Sequence, residues 1–280
     1  MHSHLWVHHN WSMERAFDTL ILSDVHLGSE ISRARDALDL LKSTSFRRLI
    51  LLGDIFNDLN FRRLKKEHWQ FLSYIRKLSN PKRNVEVVWV EGNHDLGLSD
   101  LMSHLVGIPV YQQYLWNYQG QRYLAIHGHQ FDRFVVNNFL ISRIGEAIFL
   151  CIQKMEAGKK RFSRYLDRLN TRWLRLSDKV ARGALAYAAQ HNANFIFCGH
   201  THVPLESERA GIKYVNAGSW IDKHCTYITI GDNGIEVRTY NPVAALPTPV
   251  EPQHAPDEQE LHPSNEPEIP SHAFYRRLRG

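Results

Sequence analysis

Five short blocks of the sequence carry side chains able to hold divalent cations: Asp24-Val25-His26, Gly53-Asp54, Gly92-Asn93-His94-Asp95, His127-Gly128-His129 and Gly199-His200-Thr201-His202. Each follows an apolar, β-prone run, so each is expected on the loop at the end of a strand. Carboxylate oxygen, amide oxygen and imidazole nitrogen are donors that first-row divalent metals share. A pair of such metals can make a hydroxide nucleophile near neutral pH and neutralise a phosphate under attack. A lone Asp-x-His occurs by chance in many loops; five such blocks in order at strand ends are a far stronger signal.

The elements that must position these blocks read as follows. Buried strands are predicted over 17–23, 48–52, 85–90 and 194–198. Helices are predicted over 31–42, 61–78 and 98–106. Residues 114–118 and 122–126 flank Gln119-Gly120 like a hairpin, and further strands are predicted over 205–208, 212–216, 226–230 and 235–240. Gly211 and Asp232-Asn233-Gly234 supply turn chemistry between them. Early alternation of strands and helices, followed by consecutive hairpins, predicts an α/β fold. Its architecture is a two-sheet β-sandwich flanked by helices, with the metal-ligand blocks on loops at one edge.

One main domain is expected over 14–242. Within it, 131–189 reads as two or three helices inserted between the fourth and fifth blocks. This segment mixes apolar residues such as Phe139, Leu166 and Trp173 with basic ones such as Lys159, Arg164 and Arg168. Two readings stand side by side: helices packed on the core with a solvated charged face, or a lid over the metal site lying on a membrane interface. The Pro- and Glu-rich tail, 243–280, is expected to be disordered. The His- and Trp-rich start, 1–12, reads as an extended or mis-assigned start or a frayed terminus before Met13, with metal binding as the alternative.

Hydrophobic residues are 43% and charged residues 22% of the 280, as in a globular chain with a substantial core. The formal net charge is +5, and the tail contributes −3 of it, so the body stands near +8. That balance points to an anionic partner: a membrane surface, a nucleic acid or a phosphorylated substrate. No DNA-binding motif is present, so nucleic acid is not expected. No apolar run is long enough to span a membrane. Cys151, Cys198 and Cys225 are odd in number and widely spaced, which fits a reducing cytoplasm better than a disulfide framework.

Taken together, the five blocks resemble those of the calcineurin-like metallophosphoesterases over roughly residues 17–240. The resemblance implies two divalent metal ions, with Mn²⁺, Fe and Zn²⁺ all suited to the donors. It implies Asp24, His26 and His202 as ligands of one ion, Asn93, His127 and His200 as ligands of the other, and Asp54 as the carboxylate bridging them. It further implies that His94 stabilises charge on the phosphoryl oxygens or protonates the leaving group, with Asp95 orienting its imidazole. His129 is not among the implied ligands.

Three features resemble one branch in particular, the UDP-2,3-diacylglucosamine diphosphatases of lipid A synthesis. They are the insertion, the phrase His127-Gly128-His129-Gln130-Phe131-Asp132, and the closing Tyr214-Val215-Asn216-Ala217-Gly218-Ser219-Trp220. That likeness implies cleavage of the pyrophosphate of a UDP-linked acylated sugar, a lid holding acyl chains, and work at the inner face of the cytoplasmic membrane. Two positions depart from the branch: His94 stands where it has arginine, and Asn57 stands where it has an acidic residue. Alternative expectations are a soluble hydrolase of nucleotides, phosphodiesters or monoesters, and a non-catalytic interaction scaffold on the same fold.

Overall fold

The computed structural model describes residues 17–97, 107–132, 160–221 and 223–242, and only the backbone of 160–174. The expectations for 1–12, 98–106, 133–159 and 243–280 lie outside these residues. All described residues belong to the contact unit Met1–Leu246.

The strands of the first sheet are β1 (Phe17–Leu22), β2 (Phe46–Leu52), β3 (Glu86–Val90), β4 (Val110–Tyr111), β10 (Thr226–Gly231) and β11 (Gly234–Thr239). Their order is β11-β10-β1-β2-β3-β4, with β1 through β4 parallel and β10 antiparallel to β1. The second sheet contains β5 (Tyr114–Tyr118), β6 (Gln121–Ala125), β7 (Phe195–Cys198), β8 (Leu205–Arg209) and β9 (Ile212–Asn216). Its order is β5-β6-β7-β9-β8, with β6, β7 and β9 parallel. The predicted α/β two-sheet sandwich is therefore the observed one.

Alternation along each strand explains the layers, because successive side chains point to opposite faces. Ile21, Ile50, Leu52, Val88 and Val90 meet Trp116, Tyr123, Ala125, Phe197 and Val215 in the core between the sheets. Their neighbours Leu20, Leu22, Leu49, Leu51, Val87 and Trp89 face outward onto the helices α1 (Ala34–Ser43) and α2 (Lys66–Leu78). On the other side, Leu124, Ile126, Ile196 and Cys198 face Ala181, Ala184, Leu185 and Ala188 of α3 (Lys160–Gln190). The C-terminal part of the segment read as an insertion is thus a layer of the sandwich.

Two elements differ from expectation. The predicted helix over 61–78 is divided: a 3₁₀ turn at Phe61–Arg63, an extended pair at Leu64 and Lys65, then α2. The divider is His68, whose Nδ1 accepts the backbone N–H groups of Lys65 at 3.1 Å and of Gly28 at 3.2 Å. The two-residue strand β4 is too short to leave a periodic signal.

His68 is 1% exposed, and burial lowers its pKa below the usual histidine value. Its Nδ1 must keep a lone pair to accept both N–H groups, so protonation breaks the clasp. Because the folded pKa is depressed, this stabilisation is present above the unfolded pKa of about 6.5. It is lost as pH falls through the lower folded value. Urea midpoints at pH 7.5 and pH 5 should show the loss, and His68→Leu should shrink the difference between the two. It should also destabilise the protein at pH 7.5 by about 1–3 kcal/mol, because the buried Gly28 N–H and the part-buried Lys65 N–H lose their acceptor. An unchanged pH dependence in the variant would refute this.

Candidate metal centre

The parallel strands deliver all five blocks to one end of the sandwich. Asp24 follows β1, Asp54 follows β2, Asn93 follows β3, His127 follows β6 and His200 follows β7. Loops beyond the carboxyl ends of parallel strands are where α/β sheets hold ligands.

The backbone there is unusual. Asp24, His26, Asp54, His200 and His202 all have positive φ, between 49° and 68°. Such residues cost about 1–3 kcal/mol each and persist only where their surroundings over-determine them. Here cross-loop hydrogen bonds do so: Asp24 N–H to Gly53 O at 3.1 Å, His26 N–H to Asp54 O at 3.0 Å, and Trp220 N–H to Asp24 O at 3.0 Å. Asn216 Nδ2 donates to Gly199 O at 2.6 Å and steadies the last block.

Two groups of ligand atoms result: Asp24 with His26 and His202, and Asp54 with His127 and His200. Within each group the atoms lie within 4.8 Å of one another. In the first, Asp24 Oδ1 is 3.1 Å from His202 Nε2 and 3.7 Å from His26 Nε2. Its other oxygen, Oδ2, is occupied by the Ser23 hydroxyl at 2.6 Å and the His200 N–H at 3.0 Å. In the second, Asp54 Oδ2 is 3.2 Å from His127 Nε2, while Oδ1 accepts the His94 N–H at 2.8 Å. Each carboxylate therefore has one oxygen tied to the protein and one turned to the imidazoles. The His94 ring meets the His26 ring of the first group edge-on at 5.1 Å. His94 and His202 are the more open edge, with side chains 16% and 28% exposed.

Electrostatics follow from this crowding. Burial raises the Asp24 carboxyl's pKa, but His202 and His26 outweigh burial and bring it below the usual range. Asp54 is likewise lowered, against burial, by His127, His94 and His26. Burial opposes charge on His127, yet Asp54 beside it carries its pKa up to about 10. Burial and the neighbouring His127 and His200 push His129 down to about 3, so it is neutral at physiological pH.

These residues fit a pair of divalent cations. Asp24 Oδ1 and His127 Nε2, whose neighbours are the ion-pair contacts above, and Asn93 Oδ1 are buried without a well-formed hydrogen bond, as are His129 Nδ1 nearby and the indole nitrogens of Trp116 and Trp220. Orphaned buried polar atoms are rare in native proteins and call for an explanation. His127 Nδ1 lies 2.9 Å from Leu52 O, which only accepts, so Nδ1 carries a hydrogen, and Nε2, turned to Asp54 Oδ2 at 3.2 Å, is the nitrogen that would hold a cation once its own proton is displaced. Asn93 is absent from both carboxylate–imidazole groups; its amide oxygen is buried without a partner.

The role expected for Asp95 is corrected. Its two oxygens accept the N–H groups of Ile55 at 3.0 Å and Phe56 at 2.9 Å, so it clamps the loop that carries Asp54. Burial and the nearby Asp54 raise its pKa to about 7. What faces His94 Nδ1 is the main-chain carbonyl of Asn57, at 2.7 Å. That carbonyl also fixes the tautomer, leaving Nε2 turned toward Asp54 Oδ2 at 3.9 Å. Ser23, Asn57, Asp132 and Asn216 also contact the candidate site, although the sequence gives none of them a ligand or catalytic role. Ser23 adjoins the first block, and the other three lie at positions compared with the lipid A branch.

Comparison with known proteins adds to this geometry. The calcineurin-like phosphoesterase superfamily domain matches residues 17–230. A comparison with curated proteins finds no match. Among solved structures, the chain is similar to YfcE, a phosphoesterase from E. coli, at 18% identity over 80% of this chain and 99% of that one, with a TM-score of 0.42. It is similar to a novel archaeal phosphodiesterase at 12% identity over 79% and 98%, with a TM-score of 0.42. It is similar to zinc-complexed Vps29 from Entamoeba histolytica at 13% identity over 80% and 99%, with a TM-score of 0.39.

Proposed function

The chain belongs to the calcineurin-like phosphoesterase superfamily, and from that premise we propose that it is a hydrolase of phosphoric esters or anhydrides dependent on two divalent cations. The observation that carries this is the pair of ligand groups with orphaned buried donors at one end of the sandwich. Asp24, His26 and His202 would hold one cation, Asn93, His127 and His200 the other, and Asp54 both. Bound cations supply an acidified water as nucleophile and neutralise charge on the phosphoryl group. Mn²⁺ is the cation we favour; Fe and Zn²⁺ suit the same donors.

The protein's own groups do the rest. Asn57 O holds the His94 ring, so Nε2 is the atom that meets a phosphoryl oxygen or exchanges a proton with a leaving group. His94→Ala should lower turnover by about 10²–10⁴-fold. Both cations should stay bound, because His94 is not assigned to hold either. Loss of metal on assay by mass spectrometry would remove that assignment.

For substrate we propose a UDP-linked acylated sugar, cleaved at its pyrophosphate, with part of 131–189 shielding the acyl chains against an anionic membrane surface. Support comes from the sequence phrases at His127–Asp132 and Tyr214–Trp220 and from the basic residues of the segment. Among the described residues no helix is long and apolar enough to cross a membrane. His94 and Asn57 favour a second reading, a hydrolase of nucleotides or simple phosphodiesters. Assay of the Mn²⁺-loaded protein on UDP-2,3-diacylglucosamine beside aryl phosphodiesters separates them. Turnover of the aryl esters alone removes the lipid substrate. Two bound cations with no turnover of any ester would favour an interaction scaffold.

A further inference from the structure

Asp132 is fully buried at the end of the 3₁₀ turn His129–Phe131, just past the ligand-bearing His127. Its N–H donates to His129 O at 3.0 Å, which turns the carboxylate inward. There Oδ2 lies 3.4 Å from His200 Nε2, at the long end for a hydrogen bond. A carboxylate only accepts, so this contact is favourable when Nε2 carries the hydrogen. Nδ1 then holds the lone pair and is the nitrogen left to join Asp54 and His127 around a cation. His127 shows the reverse arrangement, with Nδ1 on Leu52 O and Nε2 turned to Asp54 Oδ2 at 3.2 Å. Two rings of one group thus turn opposite nitrogens to the cation site, each steadied by a buried acceptor, one main-chain and one side-chain.

The residue before Asp132 is fastened to α3. Phe131 packs against the helix so closely that a Cβ placed on Gly183 would sit 2.9 Å from Phe131 Cβ. The rings of Phe131 and Tyr187 are 5.7 Å apart. Tyr187 Oη in turn bonds Gln113 Oε1 at 2.6 Å, beside β5. A continuous line of contacts runs from α3 through Phe131 and Asp132 to His200.

Building on the dinuclear reading above, we propose that Asp132 is a positioning residue that holds His200 as the Nε2–H tautomer. Through Phe131 it also makes the site of the second cation depend on how α3 is seated. Outer residues of this kind orient a ligand imidazole and raise its basicity.

Zn²⁺, which is diamagnetic, is the probe. Equilibrium dialysis of the full chain should give two ions for wild type. Asp132→Ala should weaken one ion by about 10–100-fold and leave the other unchanged. Asp132→Asn keeps an acceptor oxygen and should restore most of that affinity. Gly183→Ala, which displaces Phe131, should weaken the same ion. Histidine ¹H–¹⁵N NMR of wild type should show His200 as Nε2–H. The proposal is overturned if His200 is Nδ1–H, or if Asp132→Ala binds both ions with wild-type affinity. It is also overturned if both ions weaken together, as general damage would cause. Should Asp132→Ala fail to fold, unchanged zinc affinity in both Asp132→Asn and Gly183→Ala overturns it. Wild type binding no zinc would sink the dinuclear reading instead, and the tautomer would still be measurable in that protein.

Discussion

Asp54→Asn should abolish phosphohydrolysis, a loss on the order of a thousandfold or more, because it removes the charge assigned to both cations. The exchange is nearly isosteric. The amide oxygen can still accept the His94 N–H now bonded at 2.8 Å, so the loop should keep its shape. The amide nitrogen would then replace Oδ2, which faces His127 Nε2 at 3.2 Å, and would present hydrogens where a cation needs a donor oxygen. Metal analysis should show both ions depleted, while circular dichroism stays as in wild type.

The same substitution has a pH signature in metal-free protein. His127 has its pKa raised to about 10 in the fold, chiefly because Asp54 outweighs the burial that opposes its charge. A raised histidine pKa contributes stability that is fully present below the unfolded value of about 6.5. That stability is lost as pH rises through about 10. Asp54→Asn should flatten this part of the stability profile, measured with a chelator present. Wild-type turnover and metal content in the variant would remove Asp54 from the centre.

Gly92→Ala is the second large effect, and it acts through backbone. A Cβ on Gly92 would lie 2.1 Å from Asp54 Oδ1 and 2.2 Å from the Asp54 backbone nitrogen. A flexible side chain could turn away; a main-chain nitrogen cannot, so the β2 and β3 loops must part. We expect destabilisation of about 1–3 kcal/mol, as for other overpacked sites. Both Asn93 and Asp54 should leave their positions, with loss of the cation they would share. Melting and metal content should fall together. A variant with wild-type melting temperature and full metal content would show that the two loops do not need this contact.

Much of this was legible along the chain. Strands β1, β2 and β3 are short apolar runs, and their alternation sorts residues between helix-facing and sheet-facing cores without knowledge of neighbours. The donors are legible for the same reason: Asp24 and His26, or His200 and His202, are close in sequence and flank loops that strands must end in. For Asp95 the resemblance implies a partnership with the adjacent His94. The fold instead turns its carboxylate to Ile55 and Phe56, residues 40 and 39 positions away. The helix expected over 61–78 failed for a similar reason, since His68 accepts from Gly28, 40 positions earlier.

By itself, then, the sequence determined the sandwich, the loops that bear the donors and the chemical kinds of those donors. These depend on local periodicity and residue type. Only the tertiary structure decided which oxygen of Asp24 is turned to the imidazoles, which nitrogen of His127 faces Asp54, and that Asn57 rather than Asp95 holds His94. Those choices are made by contacts between distant segments, such as His200 N–H to Asp24 across 176 positions. A hydrogen bond's direction depends on where the chain brings its acceptor, and no short window of residues contains that.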